Sequence, residues 1–331
     1  MISVIIPSRN RADFLASALD SLLRQTLSFD QFEVLVIDNG STDNTAAIVQ
    51  QYSTRLGNVR YFYECEPGLH VGRHRGMFAA KGNILVFADD DIEALPSWLI
   101  SIKEAFSDED VAMVGGNNYP LFLTTPPKWL LKMWGRRAWR GYKSIPSLSI
   151  VQFLKNPKTI SPYQVWGCNF AIRKDVLLTA GGFHPDGMPK ELIRFRGDGE
   201  THVSRYVEKS GMKCVFHPGA SVHHKVPPER MTFKYFHQRG FNQGVSDSYT
   251  TLRNLDSKAY EIRRNLIRRI LGWGWRQVKG LFPMDRDAKH AQNEMKQGYN
   301  EGYVYHQQMY RDDIEVRVWV HKSKYFEKAK T

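Results

Sequence analysis

The chain has 331 residues, 42% hydrophobic and 24% charged, enough for a sizeable core in one large or two ordinary domains. Its formal charge of +12 favours an anionic partner such as a nucleotide or an anionic lipid surface. Three distant cysteines, Cys65, Cys168 and Cys214, exclude a disulfide framework or a CxxC metal site and read as reduced thiols of a cytoplasmic protein.

The opening MISVIIPSRN lacks the charged start and long apolar core of a secretion signal, and no run reaches the roughly 18 apolar residues of a spanning helix. Residues 3–7 (SVIIP) predict a buried strand with a loop at its C-terminal end. A helix follows, with Leu15, Ala18, Leu19, Leu22 and Leu23 on one face. Residues 34–37 make a second strand ending at Asp38. Asn39-Gly40-Ser41 then turns, and Thr42 or Asp43 caps a helix over residues 46–52. Residues 59–64 alternate as a third strand. Residues 67–82 give a Gly-rich loop and a short helix bearing Arg73, His74 and Arg75.

The fourth strand, residues 83–87, runs straight into Asp89, Asp90 and Asp91. Isolated buried charge is costly, so these carboxylates need a solvated edge or a shared cation. Oxygen ligands at a rigid strand end suit Mg²⁺ or Mn²⁺, which would hold phosphates. The plain alternative is an acidic turn that caps the next helix. Strands alternating with helices predict a parallel α/β sheet, with ligands beyond the C-terminal strand ends. Residues 7–9, Asp38 and residues 89–91 should therefore converge.

Pro96 opens another helix, and residues 111–115 form another strand. From 121 to 160 the pattern breaks. Trp129, Trp134 and Trp139 beside Lys128, Lys132, Arg136, Arg137 and Arg140 read as an irregular acceptor-side or interfacial insertion, or as a packed loop with snorkelling cations. Residues 165–187 read as a strand, a helix starting at Asp175 and a Gly-Gly turn. Residues 196–211 are an acidic loop and a helix stopping at Gly211. Residues 213–224 are two short strands ending in His223 and His224. Beyond Val226, Ile262, Leu266, Ile270 and Val278 alternate with Arg263, Arg264, Arg268 and Lys279 as a basic amphipathic helix, for an anionic membrane surface or for packing on the body. The last stretch is helical, with a strand expected at 314–320.

In this order VIIPSRN, VIDNGSTDNT, GLHVGRHRG, FADDD, WGCNFAIRKDVLLTAGGF and PGASVHH resemble the signatures of glycosyltransferase family 2, inverting nucleotide-sugar transferases, over residues 3–224. The resemblance implies an α/β protein of GT-A (Rossmann-like) fold: a mostly parallel central sheet flanked by helices, with a mainly helical C-terminal extension. The transferase domain would span 1–225, with a nucleotide-binding half (1–95) and an acceptor-side half (96–225), followed by a basic region (226–331). By the same resemblance Pro7, Arg9 and Asp38 contact the nucleotide base, and Arg73 approaches the phosphates. Asp89, with Asp90, faces the ribose. Asp91 and His224 hold the metal, with His223 as the alternative to His224. Trp166 and Asn169 border the donor sugar and acceptor.

Family members carry a Glu-Asp pair just before a helix with an arginine about two turns on. RGDGETHVSR departs from it. Keeping the spacing to Arg205 puts Asp198 at the first acidic position and Gly199 at the second; sliding the match favours Glu200. The catalytic base is Asp198 or Glu200, the spacing leaning to Asp198.

The activity so implied is Mn²⁺- or Mg²⁺-dependent hexosyl transfer with inversion. The donor is a nucleoside-diphosphate sugar, UDP-linked first. The acceptor is a glycan or lipid-linked hydroxyl in polysaccharide biosynthesis, at the cytoplasmic face of the cell membrane. Two other readings are a sugar nucleotidyltransferase and a non-enzymatic basic membrane- or nucleic-acid-binding module. SRNRADFL lacks the glycines of the first. Zinc spacings and RNA-binding aromatic motifs are absent for the second, so no nucleic acid is expected.

Overall fold

The computed structural model describes residues 1–136, 141–254 and 285–326. Strand and helix alternate from the start: β1 (Ile2–Ser8), α1 (Ala12–Leu23), β2 (Phe32–Asp38), α2 (Thr45–Leu56), β3 (Val59–Tyr63), α3 (Leu69–Ala79) and β4 (Ile84–Ala88). Then come β5 (Ile92–Ala94), α4 (Trp98–Ala105), β6 (Val111–Gly115), β7 (Asn118–Phe122), α5 (Lys128–Gly135), β8 (Tyr142–Ile145) and β9 (Ile150–Phe153). The chain continues through β10 (Asn169–Arg173), α6 (Lys174–Thr179), α7 (Thr201–Lys209), β11 (Lys213–Phe216) and β12 (Val222–Val226). It closes with α8 (Phe233–Arg253), α9 (Arg286–Asp312) and α10 (Ile314–His321).

Seven strands form the main sheet in the order β11-β6-β10-β4-β1-β2-β3. Its pairings are parallel except for β10, which runs antiparallel to both neighbours. β1 and β2 are buried throughout, as strands covered on both faces must be. Their side chains alternate between two cores. Ile2, Val4 and Ile6 meet Leu15, Leu19 and Leu22 of α1 on one face, while Ile5, Leu35 and Ile37 meet Met77 of α3 on the other. α3 lies so close to the sheet that a Cβ at Gly76 would stand 2.3 Å from the Ile5 side chain. Register places Ser8 opposite Asp38, and β4 ends at Ala88, immediately before the three aspartates. The expected gathering of strand ends is there.

Residues 121–160 are ordered differently from the irregular insertion expected. β7, β8 and β9 join β5 and β12 in a second sheet, ordered β5-β12-β7-β9-β8. β7 pairs in parallel with β12, about a hundred residues later in the chain. Such short strands carry little periodic signal, and their partner is far away in sequence. Trp129 is buried against Phe233 and Phe236, with ring centroids 5.2 and 5.3 Å away. It is a core residue that seats α5 on α8, not an interfacial one. Trp139, Arg137 and Arg140 lie outside the described residues.

α8 and α9 pack with their backbones in contact. A Cβ at Gly240 would stand 2.1 Å from the carbonyl oxygen of Met295, and one at Gly244 2.1 Å from that of Tyr299. Reciprocally, Gly298 and Gly302 face the carbonyls of His237 and Phe241 at 2.1 and 2.0 Å. Each helix thus contributes two glycines four residues apart, one turn, to a common seam. The strand expected at 314–320 is instead α10. Asp313 caps it by accepting from Glu315 N at 2.8 Å. Val316 and Val320 point inward, while Ile314 and Val318 stay 61% and 67% exposed. Burying a valine is worth roughly 1.5–3 kcal/mol, more than the few tenths that valine loses in a helix. The basic amphipathic segment at 262–279 lies outside the described residues. Among those described, no helix is long and apolar enough to cross a membrane.

Candidate active site

The turn after β4 presents the three aspartates to different partners. Asp90 accepts from Ser8 Oγ at 2.7 Å and pairs with Arg11 Nε at 3.2 Å. Burial pushes its carboxyl up to about 7, against the pull of Arg11. Asp91 Oδ2 receives two guanidinium groups, Arg11 Nη2 and Arg230 Nη2, each at 2.8 Å. Its Oδ1 stands 3.2 Å from His224 Nε2. Burial alone would raise Asp91, but the neighbouring His224 and the charges of Arg230 and Arg11 hold it well below the usual carboxylate range. Asp89 is half-buried, with Oδ1 3.7 Å from Arg73 Nη2.

Asp89, Asp91 and His224 each offer an atom within 4.8 Å of the others. Asp91 Oδ1 and His224 Nδ1 are buried without a hydrogen-bond partner among the described residues. Two carboxylates and an imidazole suit a divalent ion of the Mn²⁺ kind, so these residues fit a metal. His223 projects from the other side of β12 and lies beside Tyr119, as alternation along a strand requires.

Arg73 is almost fully buried on α3, with its guanidinium 5.2 Å above the Phe183 ring. Gly167 makes room for it, since a Cβ there would stand 2.3 Å from Arg73 Nη2. Arg73 Nη1 is buried without a hydrogen-bond partner among the described residues, 3.6 Å from Glu200 Oε2. Glu200 Oε1 accepts from Gly167 N at 3.3 Å.

The two acidic candidates have opposite surroundings. Gly199 sits at φ +52°, where a Cβ would meet Asp186 Oδ2 at 2.9 Å. This left-handed turn sends Asp198 inward, with its side chain 4% exposed, and leaves Glu200 26% exposed. Asp198 Oδ1 accepts from His184 Nδ1 at 2.6 Å, and Oδ2 accepts from Arg205 Nη2 at 3.0 Å and Thr250 Oγ1 at 2.9 Å. Burial would raise Asp198, but His184 and Arg205 hold it well below the usual range. Behind His184, Tyr325 donates to the Trp319 carbonyl at 2.6 Å, which leaves Tyr249 to donate to Tyr325 at 2.7 Å. A chain of hydrogen bonds therefore runs from Asp198 into α8 and the segment after α10.

A cavity of about 530 Å³ is lined by Arg73, Asp89, Gly167, Asp198 and Glu200, and by residues of α8. Other sequence candidates lie around it. Pro7 is buried in β1 beneath Gly72 of α3. Asp38 accepts from Ser41 N at 2.8 Å and Tyr61 OH at 2.7 Å, which fixes the Asn39-Gly40-Ser41 turn. Asn169 accepts from Trp98 Nε1 at 2.9 Å and donates to Asn118 Oδ1 and the Ala220 carbonyl, bracing the two sheets. Trp166 is half-buried, its indole donating to the Tyr163 carbonyl. Arg9 is exposed, whereas Arg11, two residues on, reaches the aspartates. Sequence reasoning missed Arg11 and Arg230. Arg11 stood in the quoted SRNR stretch, but Arg230 follows β12 in a region with no signature.

Several known proteins are similar to this chain. A glycosyltransferase named AglE from Haloferax volcanii is 29% identical over 216 residues, 65% of this chain and 64% of its own length. A validoxylamine A glucosyltransferase from Streptomyces hygroscopicus is 29% identical over 56% of this chain and 47% of its own. The chain thus spans less than two thirds of these relatives. Among solved structures, the mannosyltransferase PcManGT from Pyrobaculum calidifontis, in complex with GDP-Man and Mn²⁺, superposes with a TM-score of 0.53 at 17% identity, covering 97% of this chain and 83% of that one. S. aureus TarS 1-349 in complex with UDP-GlcNAc gives a TM-score of 0.50 at 14% identity over 94% of this chain and 91% of that one. These likenesses establish the GT-A fold. The description "Glycosyl transferase family 2" matches residues 3–179, over half of the sequence, so the chain belongs to that family.

Proposed function

We propose that the protein is a metal-dependent, inverting glycosyltransferase. It moves a sugar from a nucleoside-diphosphate sugar, a UDP-sugar first, to a hydroxyl of a glycan or lipid-linked acceptor. The observation that carries this reading is the meeting of Glu200, Arg73 and Asp89 in one cavity beside Asp91 and His224. In this reading residues 1–95 hold the nucleotide, 96–225 serve the acceptor side, and the basic region beyond 225 completes the site. The net charge of +12 supports work at an anionic membrane surface.

Asp89, Asp91 and His224 would hold a divalent ion, which when bound neutralises charge developing on the diphosphate. Arg73 is positioned to do the same from the protein, with a buried Nη1 free to donate. Arg11 and Arg230 keep Asp91 ionised and fixed in place. Glu200 takes the proton of the acceptor hydroxyl, as its carboxylate faces the cavity. Asp198 is a poor base, because both its oxygens are engaged and its proton affinity is depressed. Its part is to position the loop that carries Glu200. The acceptor oxygen attacks opposite the leaving diphosphate in a single displacement, so the new linkage has inverted configuration.

The test is a panel of nucleotide sugars with Mn²⁺ or Mg²⁺, read as nucleoside diphosphate release and as the anomeric configuration of the product. One donor should be consumed, chelator and Asp91→Ala should abolish turnover, and the product should be inverted. A retained anomer would refute the displacement, and no donor binding by the folded protein would refute the transferase reading.

A further inference from the structure

The cavity has a wall beyond the matched family stretch of residues 3–179. α8 turns Arg239, Gln243, Ser246, Asp247 and Thr250 toward it, spacings that place them on one helix face. Every one is polar or charged. Gln243 Nε2 donates to Asp247 Oδ1 at 2.9 Å, and Tyr299 of α9 donates to Asp247 Oδ2 at 2.9 Å. Arg196 donates from Nε to Ser246 Oγ at 3.1 Å and pairs through Nη2 with Asp186 at 2.5 Å. These contacts set the wall before any ligand arrives, which lowers the ordering cost of binding.

We propose that this face of α8 is the acceptor subsite and that the acceptor enters it as a sugar unit, held through its hydroxyls. The inference rests on the transferase reading above and names its acceptor. Glu200 lines the same cavity, and a base must lie within hydrogen-bond reach of the hydroxyl it deprotonates. The acceptor must therefore share the cavity with the donor sugar. At about 530 Å³ the space falls within the 300–1,000 Å³ usual for ligand sites.

The lining decides the chemistry. Only Leu69, Tyr163 and Cys168 bring appreciable apolar surface. A polyisoprenoid chain there would strip water from carboxylates and guanidinium groups without replacing their hydrogen bonds. A sugar hydroxyl can donate to Asp247 and accept from Arg239, and Gln243 can do either. Charges of both signs on the wall suit a neutral polyol better than a bare phosphate.

The experiment uses the full chain, the donor found in the panel, and two acceptor sets: methyl mono- and disaccharide glycosides, and polyprenyl phosphate. Transfer and donor hydrolysis are measured together. A glycoside should accept the sugar, and Gln243→Ala and Arg239→Ala should each raise its KM about tenfold, the effect of losing one good hydrogen bond. The ratio of transfer to hydrolysis should fall with it. Gln243 is exposed, so its loss leaves the core intact. Refusal of every glycoside, transfer to polyprenyl phosphate alone, or an unchanged acceptor KM in both variants would overturn the proposal. A folded protein that binds no donor fails earlier, at the transferase reading itself.

Discussion

Asp198 and Glu200 are separated by one glycine and have opposite surroundings, and the proposed mechanism gives them opposite roles. Removing the charge of Asp198 leaves Arg205 and the buried His184 facing a neutral amide, and breaking a buried pair costs about 3–5 kcal/mol. Asp198→Asn should therefore lower both the thermal midpoint and turnover. Glu200→Gln touches a side chain 26% exposed, with one long hydrogen bond and a loose ion pair to Arg73 that leaves Asp89 as the remaining counter-charge. It should lower the midpoint less than Asp198→Asn does, while transfer falls roughly a hundredfold to ten-thousandfold, the usual worth of a general base. Calorimetry beside kinetics separates the two. If Glu200→Gln retains transfer and Asp198→Asn loses it with stability unchanged, the roles are reversed. The sequence could not decide between these carboxylates. Spacing to Arg205 favours Asp198, but the deciding feature is the left-handed turn at Gly199, and φ is visible only in three dimensions. The sequence also left His224 and His223 as alternatives: alternation along β12 lets only one of them face Asp91, and the structure turns His224 to it.

At the level of elements, the α8–α9 seam has no room for a Cβ at Gly240, Gly244, Gly298 or Gly302. Gly302→Ala would put a methyl group 2.0 Å from the Phe241 carbonyl, so the helices must part. Overpacking of this kind costs about 1–3 kcal/mol. Gly302 lies on the side of α9 that meets α8, away from the cavity, yet displacement of α8 should also weaken acceptor binding. The expected result is a lower midpoint together with a raised acceptor KM; a normal KM at a lowered midpoint would mean that the cavity wall does not depend on the seam. Local periodicity made β1 to β4 and their helices readable, since each strand is a short apolar run and each helix has an apolar stripe. β7 to β9 were not readable, because each is a short strand and β7 docks on β12, far along the chain. α10 was misread because its valines alternate in sequence, whereas the cap at Asp313 and burial at Val316 and Val320 follow the helical period.

Across the whole molecule, four buried or half-buried histidines on α3, α7 and α9 have their proton affinity lowered. Burial, above all, lowers His70 to about 4, His74 to about 3, His202 to about 4 and His306 to about 4. Unfolded histidine titrates near 6.5. Between those values the unfolded chain binds more protons than the folded one, so stability falls as pH falls. Asp90, raised to about 7, works the other way, but with one proton against the four histidines, so the midpoint should hold steady above about pH 8 and fall from about 6.5 to about 3, with Asp198 and Asp91 adding their losses below about 4. A midpoint flat between pH 7 and 5 would contradict the buried neutral state. Another buried histidine joins distant parts of the chain: His184 meets Tyr249, and Tyr249 meets Tyr325. That linkage bears on biosynthesis. Tyr325 follows Asp198 by 127 residues, a delay of roughly 6–25 s at the usual 5–20 residues per second of translation. The sheet and its aspartates can be complete on the ribosome while the loop carrying Glu200 still lacks its last anchor, so a nascent chain would gain activity only after the polypeptide has passed Tyr325.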